Sequence, residues 1–120
     1  MIEEYKFGSI TIDGKTYAHD VEVRWTGEVL DWWRGESHII GVEDVKRAVE
    51  QNPEVIIIGT GESGMVKVTE KARDFIKEKG IKLITDLTDS AAKTFNIRKE
   101  DSEEEEGKPE KVIGLFHLTC

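Results

Sequence analysis

The chain is short of several things. It has one cysteine in 120 residues, and that cysteine is the last residue. A single thiol closes no internal disulfide, so nothing points to an oxidising compartment. No apolar run approaches the roughly 20 residues that span a bilayer. The opening MIEEYKFGS lacks the basic-then-apolar pattern of a secretory signal. A cytoplasmic protein with no membrane association is expected. No basic stripe is present either, so nucleic acid is not an expected partner. Side-chain amides are scarce (Gln51, Asn52, Asn96) beside many Lys, Glu and Ile, a composition that leans toward thermophile proteins.

What is present fits one domain over residues 1–120. A chain of this length hides about two thirds of its unfolded surface on folding. That is a core sufficient without a structural metal. The formal net charge is −8, and most of it sits in residues 100–110, EDSEEEEGKPE, with seven acids and one lysine. This stretch has no apolar periodicity and contains Pro109, so a mobile acidic loop is expected there.

The first third reads as strands. Asp13-Gly14 in ITIDGKTY is a strong hairpin signal between two β-prone runs. Val21 to Trp25 alternates apolar and charged residues, as in a sheet with one wet face. TGEVLDWWRGESHIIG reads as a short strand flanked by loops. The helical period then appears: Val42, Val45 and Val49 share a face, and Asn52-Pro53 ends that helix. EVIIIG is a strand buried on both faces. MVKV reads as extended. Thr69 is placed to cap EKARDFIKEK, and Gly80 to stop it. IKLITD is a strand, and TDSAAKTFNIRKE a helix capped by Thr88 or Asp89. Residues 111–119 close the chain as a strand. Strand–helix alternation behind a β-rich half predicts an α/β fold with some parallel pairing.

Three constellations could carry chemistry. GTGESG, Gly59 to Gly64, fits G-x-G-x-x-G after a buried strand, with Asp86 ending the next strand. Against a dinucleotide stand the MVKV stretch before the helix, the charge of Glu62, and the short remaining chain. A smaller ligand at Gly59, Thr60, Gly61, Glu62, Ser63 and Gly64 remains open, with no cofactor expected. DWWRGESH brings Trp32, Arg34 and His38 together. They line a pocket, or else the two tryptophans cover the sheet edge while the ions face water. In an extended segment Trp32 and Trp33 point opposite ways. The ending VIGLFHLTC puts His117 and Cys120 on opposite faces of a strand. With no second cysteine or paired histidine, no metal site is expected. His117 on a buried strand needs a hydrogen-bond partner or a catalytic reason. His117, Glu62 and Ser63 are the candidates for proton transfer.

GLFHLTC, together with Asp20, the DWW–Arg34–His38 stretch, EDVK, IIGTG, VKV, KGI and AAKTFN in that order, resembles the Mth-type small domain family of unknown function. The resemblance covers nearly the whole chain. It implies a three-layer α/β domain with a mixed central sheet whose last strand is central and antiparallel. It implies no reaction, and some family members are cast in assembly or regulatory roles. The expected function is a non-catalytic protein-interaction or assembly module, with an unidentified protein partner and self-association left open. The alternative is an enzyme or small-ligand binder whose Gly59–Gly64 loop holds an anionic or carbonyl group.

Overall fold

A computed structural model of the chain describes residues 1–36, 38–108 and 110–120, and every side chain among them except that of Glu106. Ser37, inside DWWRGESH, and Pro109, inside the acidic stretch, lie outside the described residues.

Strands β1 (Ile2–Lys6), β2 (Ser9–Ile12) and β3 (Lys15–Tyr17) form an antiparallel sheet. Asp13 and Gly14 both take positive φ, 48° and 82°, as the tight hairpin between β2 and β3 requires. A second sheet runs β5 (Val29–Asp31), β4 (Val21–Arg24), β10 (Val112–His117), β7 (Val55–Thr60), β9 (Lys82–Asp86). The last strand is therefore central. It is antiparallel to β4 but parallel to β7, so the antiparallel expectation holds on one side only. β6 (Ile39–Ile40) and β8 (Lys67–Val68) make a small parallel pair.

Two apolar clusters fill the two faces of the central sheet. On one, Ile56, Ile58, Ile113 and Leu115 pack against α1 (Val42–Val49) and α2 (Glu70–Glu78). On the other, Val55, Ile57, Val112 and Phe116 pack against α3 (Thr88–Glu106) and the N-terminal sheet. Strand alternation alone sorts these residues, which is why EVIIIG and VIGLFH are apolar at nearly every position. Phe95 of α3 meets Phe116 edge-on at 6.1 Å between ring centroids. Gly114 leaves room for that ring, because a Cβ there would strike Phe116.

Three local expectations are corrected. The acidic stretch is helical through Glu106, not a loop. Glutamate favours helix without needing an apolar face, and Gly107 at φ 74° caps the end. The chain beyond is tied back: Arg98 donates to both oxygens of Glu110 at 2.9 and 3.0 Å, and the Glu110 N–H donates to Ser102 Oγ at 2.6 Å. Neither Thr88 nor Asp89 caps α3; the cap is Leu87, with no side-chain bond. The face of β4 read as wet is covered. Glu22 is buried and accepts from Arg24 Nε at 2.7 Å and from Arg47 Nε of α1 at 3.1 Å. Thr69 does cap α2 as read, its Oγ1 accepting from the Ala72 N–H at 3.1 Å, and Gly80 at φ 75° follows the C-cap Lys79 and stops the helix.

Candidate functional site at the carboxyl rim of the sheet

Register places the polar residues on one rim. Asp31 pairs with Val21, Val21 with Phe116, Phe116 with Gly59, and Gly59 with Asp86. β4 runs against its neighbours, so its amino end, preceded by Asp20, shares the rim with the carboxyl ends of the other four strands. Asp20, Asp31, Thr60, Asp86 and His117 therefore line up along one edge.

At the middle of that rim Asp20, Arg34 and His117 form a closed network. His117 Nδ1 lies 2.8 Å from Asp20 Oδ2 and 2.8 Å from Arg34 Nη2. Arg34 donates to Asp20 Oδ2 from Nη2 at 3.2 Å and to the Glu36 carbonyl from Nη1 at 2.9 Å. The other carboxylate oxygen of Asp20 accepts the Leu118 N–H at 2.9 Å. Burial alone would push the Asp20 carboxyl up. The hydrogen bonds from His117 and Leu118, with the charges of His117 and Arg34, outweigh burial and hold it below the ordinary carboxylate range.

A buried His–Asp pair invites a general-base reading, and the ring's other nitrogen argues against it. His117 Nε2 lies 2.8 Å from the Cys120 carbonyl oxygen, so neither nitrogen faces open space. The residue is only 6 % exposed. Its backbone carbonyl accepts from Thr88 Oγ1 at 2.6 Å. His117 thus joins strand β10, the chain end and the start of α3. Nearby, Tyr5 donates to the Leu118 carbonyl at 3.0 Å. Burial first, then the acids Glu62, Asp89 and Asp20, push its phenol up to about 12, so it remains a donor.

The glycine loop is committed to packing. The Gly61 N–H donates to Thr88 Oγ1 at 2.9 Å and the Glu62 N–H to the Thr119 carbonyl at 2.9 Å. Gly61 has φ 100°, and a Cβ on it would lie 2.6 Å from the Thr119 oxygen. A Cβ on Gly59 would lie 2.8 Å from Thr88 Oγ1. Close backbone approach explains these two glycines, and two of the amides a phosphate cradle would use are occupied. Glu62 and Ser63 are exposed, and no hydrogen bond links their side chains to His117 among the described residues.

Beyond Asp20, a cleft of about 280 Å³ opens between His19, Asp31, Trp32, Trp33, Arg34 and Glu36. The two tryptophans divide as an extended segment requires. Trp32 is buried and its Nε1–H donates to the Asp44 carbonyl at 2.8 Å. Trp33 is 81 % exposed. The Arg34 guanidinium sits 5.5 Å from the centroid of the Trp32 ring. His38 is exposed and does not line the cleft. Asp31 and Glu36 belong to the same DWWRGESH stretch and do line the cleft, whereas His19 joins without any local signal, brought there by the pairing of β4 with β5.

Cys120 is exposed and free, and its thiol makes no contact with His117. Cys120→Ser is expected to change stability by no more than about 0.5 kcal/mol, because the bond to His117 uses the backbone carbonyl. Urea unfolding of the variant measures this. Among the described residues no cluster of His, Cys, Asp and Glu could hold a metal ion. No helix among them is long and apolar enough to cross a membrane.

The fold is thus a small α/β domain built on a mixed sheet, with its polar groups on one rim. Residues 2–106 match the family model described as a protein of unknown function, DUF498/DUF598, and the chain belongs to that family. Solved structures agree. A conserved hypothetical protein, PH1505 of Pyrococcus horikoshii OT3, is 24 % identical with a TM-score of 0.81, covering 100 % of this chain and 99 % of that one. MT938 is 27 % identical with a TM-score of 0.77, covering 100 % and 98 %. A Bordetella pertussis protein described as a Mth938-like domain is 20 % identical with a TM-score of 0.71, covering 98 % and 85 %. The Mth-type resemblance read from GLFHLTC and its companions is therefore correct.

Proposed function

We propose that the protein is a non-catalytic interaction module, acting in assembly or regulation, and that the Trp33 cleft seats its partner. The observation that carries this is Trp33 itself. An indole 81 % exposed beside a cleft gains nothing for the fold, and exposed tryptophan is the side chain most enriched where binding energy concentrates. The Asp20–Arg34–His117 groups, which could otherwise suggest catalysis, hold one another and the backbone. Asp31 and Glu36 add carboxylates to the cleft wall. The complementary occupant is a partner-protein segment carrying an arginine or lysine beside an apolar residue, its cation lying against Trp33.

Trp33→Ala tests this. The variant is expected to keep its stability within about 0.5 kcal/mol, since the side chain is exposed. Affinity isolation from native lysate should yield a stoichiometric partner with the wild type and lose it with the variant. Charge reversal at Asp31 should weaken the same complex. A wild type that recovers no partner, or a variant that retains it in equal amount, overturns the proposal.

A further inference from the structure

A second site follows from topology and does not depend on the Trp33 cleft. In an open α/β sheet, ligands enter where two neighbouring parallel strands send their chains to opposite faces. Here that happens once between helical connections. The chain leaving β7 goes to the face of α2, and the chain leaving β9 goes to the face of α3. Between the two carboxyl ends lies a crevice of about 280 Å³, lined among others by Thr60, Gly64, Lys67, Arg73, Thr85 and Asp86. It lies toward the β9 edge of the sheet, whereas the Trp33 cleft lies toward the β5 edge.

The chemistry of the lining is specific. Lys67 and Arg73 contribute two cations, and neither side chain has a hydrogen-bond or ion-pair partner among the described residues. Asp86 Oδ1 accepts the Leu87 N–H at 2.8 Å, which fixes the carboxylate, and Oδ2 has no hydrogen-bond partner among the described residues. Thr60 Oγ1 donates to the Asp86 carbonyl at 3.1 Å, so the floor is braced. Gly64 takes φ 72°, and a Cβ there would lie 3.0 Å from Leu87 Cδ2, so glycine lets the loop close onto the crevice wall. Two cations call for a dianion such as phosphate. The carboxylate beside them repels a bare anion and accepts from hydroxyl groups. Drug-sized ligands take pockets of about 300–1,000 Å³, so a smaller molecule fits.

We propose that this crevice binds a small phosphate ester of a polyol, with the phosphate on Lys67 and Arg73 and a sugar hydroxyl donating to Asp86. The short G-x-G-x-x-G match lies at the same strand end as this crevice. The binding groups are the side chains around the crevice, not the amides of Gly61 and Glu62.

The test is titration of isotope-labelled protein with ribose phosphate, ribose and inorganic phosphate, followed by amide NMR. Ribose phosphate is expected to shift the amides of Gly64, Lys67 and Thr85 saturably, with a Kd of about 1 mM or tighter. Ribose and inorganic phosphate should each bind at least about tenfold more weakly. Arg73→Ala and Lys67→Ala, both at exposed positions, should each weaken ribose phosphate by about tenfold and leave the rest of the spectrum unchanged. Asp86→Asn should remove the preference for the ester over inorganic phosphate. No saturable shift with ribose phosphate overturns the site, as do shifts confined to other surfaces or binding unaltered in Arg73→Ala. Inorganic phosphate binding as tightly as the ester overturns the role of Asp86. None of these results bears on Trp33, whose partner is read by a separate isolation.

Discussion

Asp20→Ala is expected to cost about 3–5 kcal/mol, the range for removing one member of a buried ion-pair network. The substitution withdraws the acceptor of the Leu118 N–H, the carboxylate beside the Arg34 guanidinium, and the partner of His117 Nδ1. The Arg34 and His117 side chains are only 6 % and 8 % exposed, so water does not replace what is lost. Asp20→Asn keeps the shape and an acceptor and should cost less. The pH dependence identifies the mechanism. The folded-state carboxyl lies below its ordinary value of 3.8. Its contribution is therefore complete above that value and is lost as pH falls through the folded one. Urea unfolding should show the full gap between wild type and Asp20→Asn at neutral pH. The gap should narrow only in acid, below about pH 4. A gap that is small at neutral pH, or one that grows in acid, would show that the network does not stabilise the fold.

Gly61→Val is the second large effect. The residue holds φ 100°, where a side chain is strained by about 1–3 kcal/mol before any contact is counted. The added Cβ would then lie 2.6 Å from the Thr119 oxygen and 2.7 Å from the Cys120 carbonyl carbon. Both neighbours are backbone, so the C-terminal segment must move. That segment carries the Cys120 carbonyl at His117 Nε2 and the Thr119 carbonyl that receives the Glu62 N–H. A loss of about 3–5 kcal/mol is expected from strain and overpacking together. Gly35→Ala is the control, since nothing lies within 4 Å of a Cβ there. Thermal and urea unfolding should separate the two variants clearly. Equal stability would mean that the loop relaxes without cost.

Much of the fold was legible because it is local. The hairpin at Asp13-Gly14, the valine face of α1, the Thr69 cap and the buried runs of β7 and β10 each declare themselves within a few residues. The failures have physical causes as well. Residues 101–106 looked structureless because they have no apolar face, yet helix needs none where propensity and a closing glycine suffice. Glu22 looked solvent-facing because strand alternation cannot see the arginine of α1 that covers it. The partner of His117 was hidden because Asp20 lies 97 residues away. The G-x-G-x-x-G match suggested loop amides for a ligand, yet the Gly61 and Glu62 N–H groups are already bonded to Thr88 and Thr119, and a motif does not show which amides the protein has used.

The order of hydrophobic and polar residues determined most of the secondary structure and the two-sided burial of β7 and β10, while the particular residues of GLFHLTC and its companions carried the resemblance to the Mth-type family. Periodicity is a property of neighbours along the chain, and a sequence displays it directly. Which polar groups meet is a matter of strand order and register. Only the placement of β10 between antiparallel β4 and parallel β7 brought Asp20, His117, Asp31, Thr60 and Asp86 to a common edge. Contacts between distant segments are fixed by packing, so the rim, its network and its two clefts exist in the tertiary structure alone.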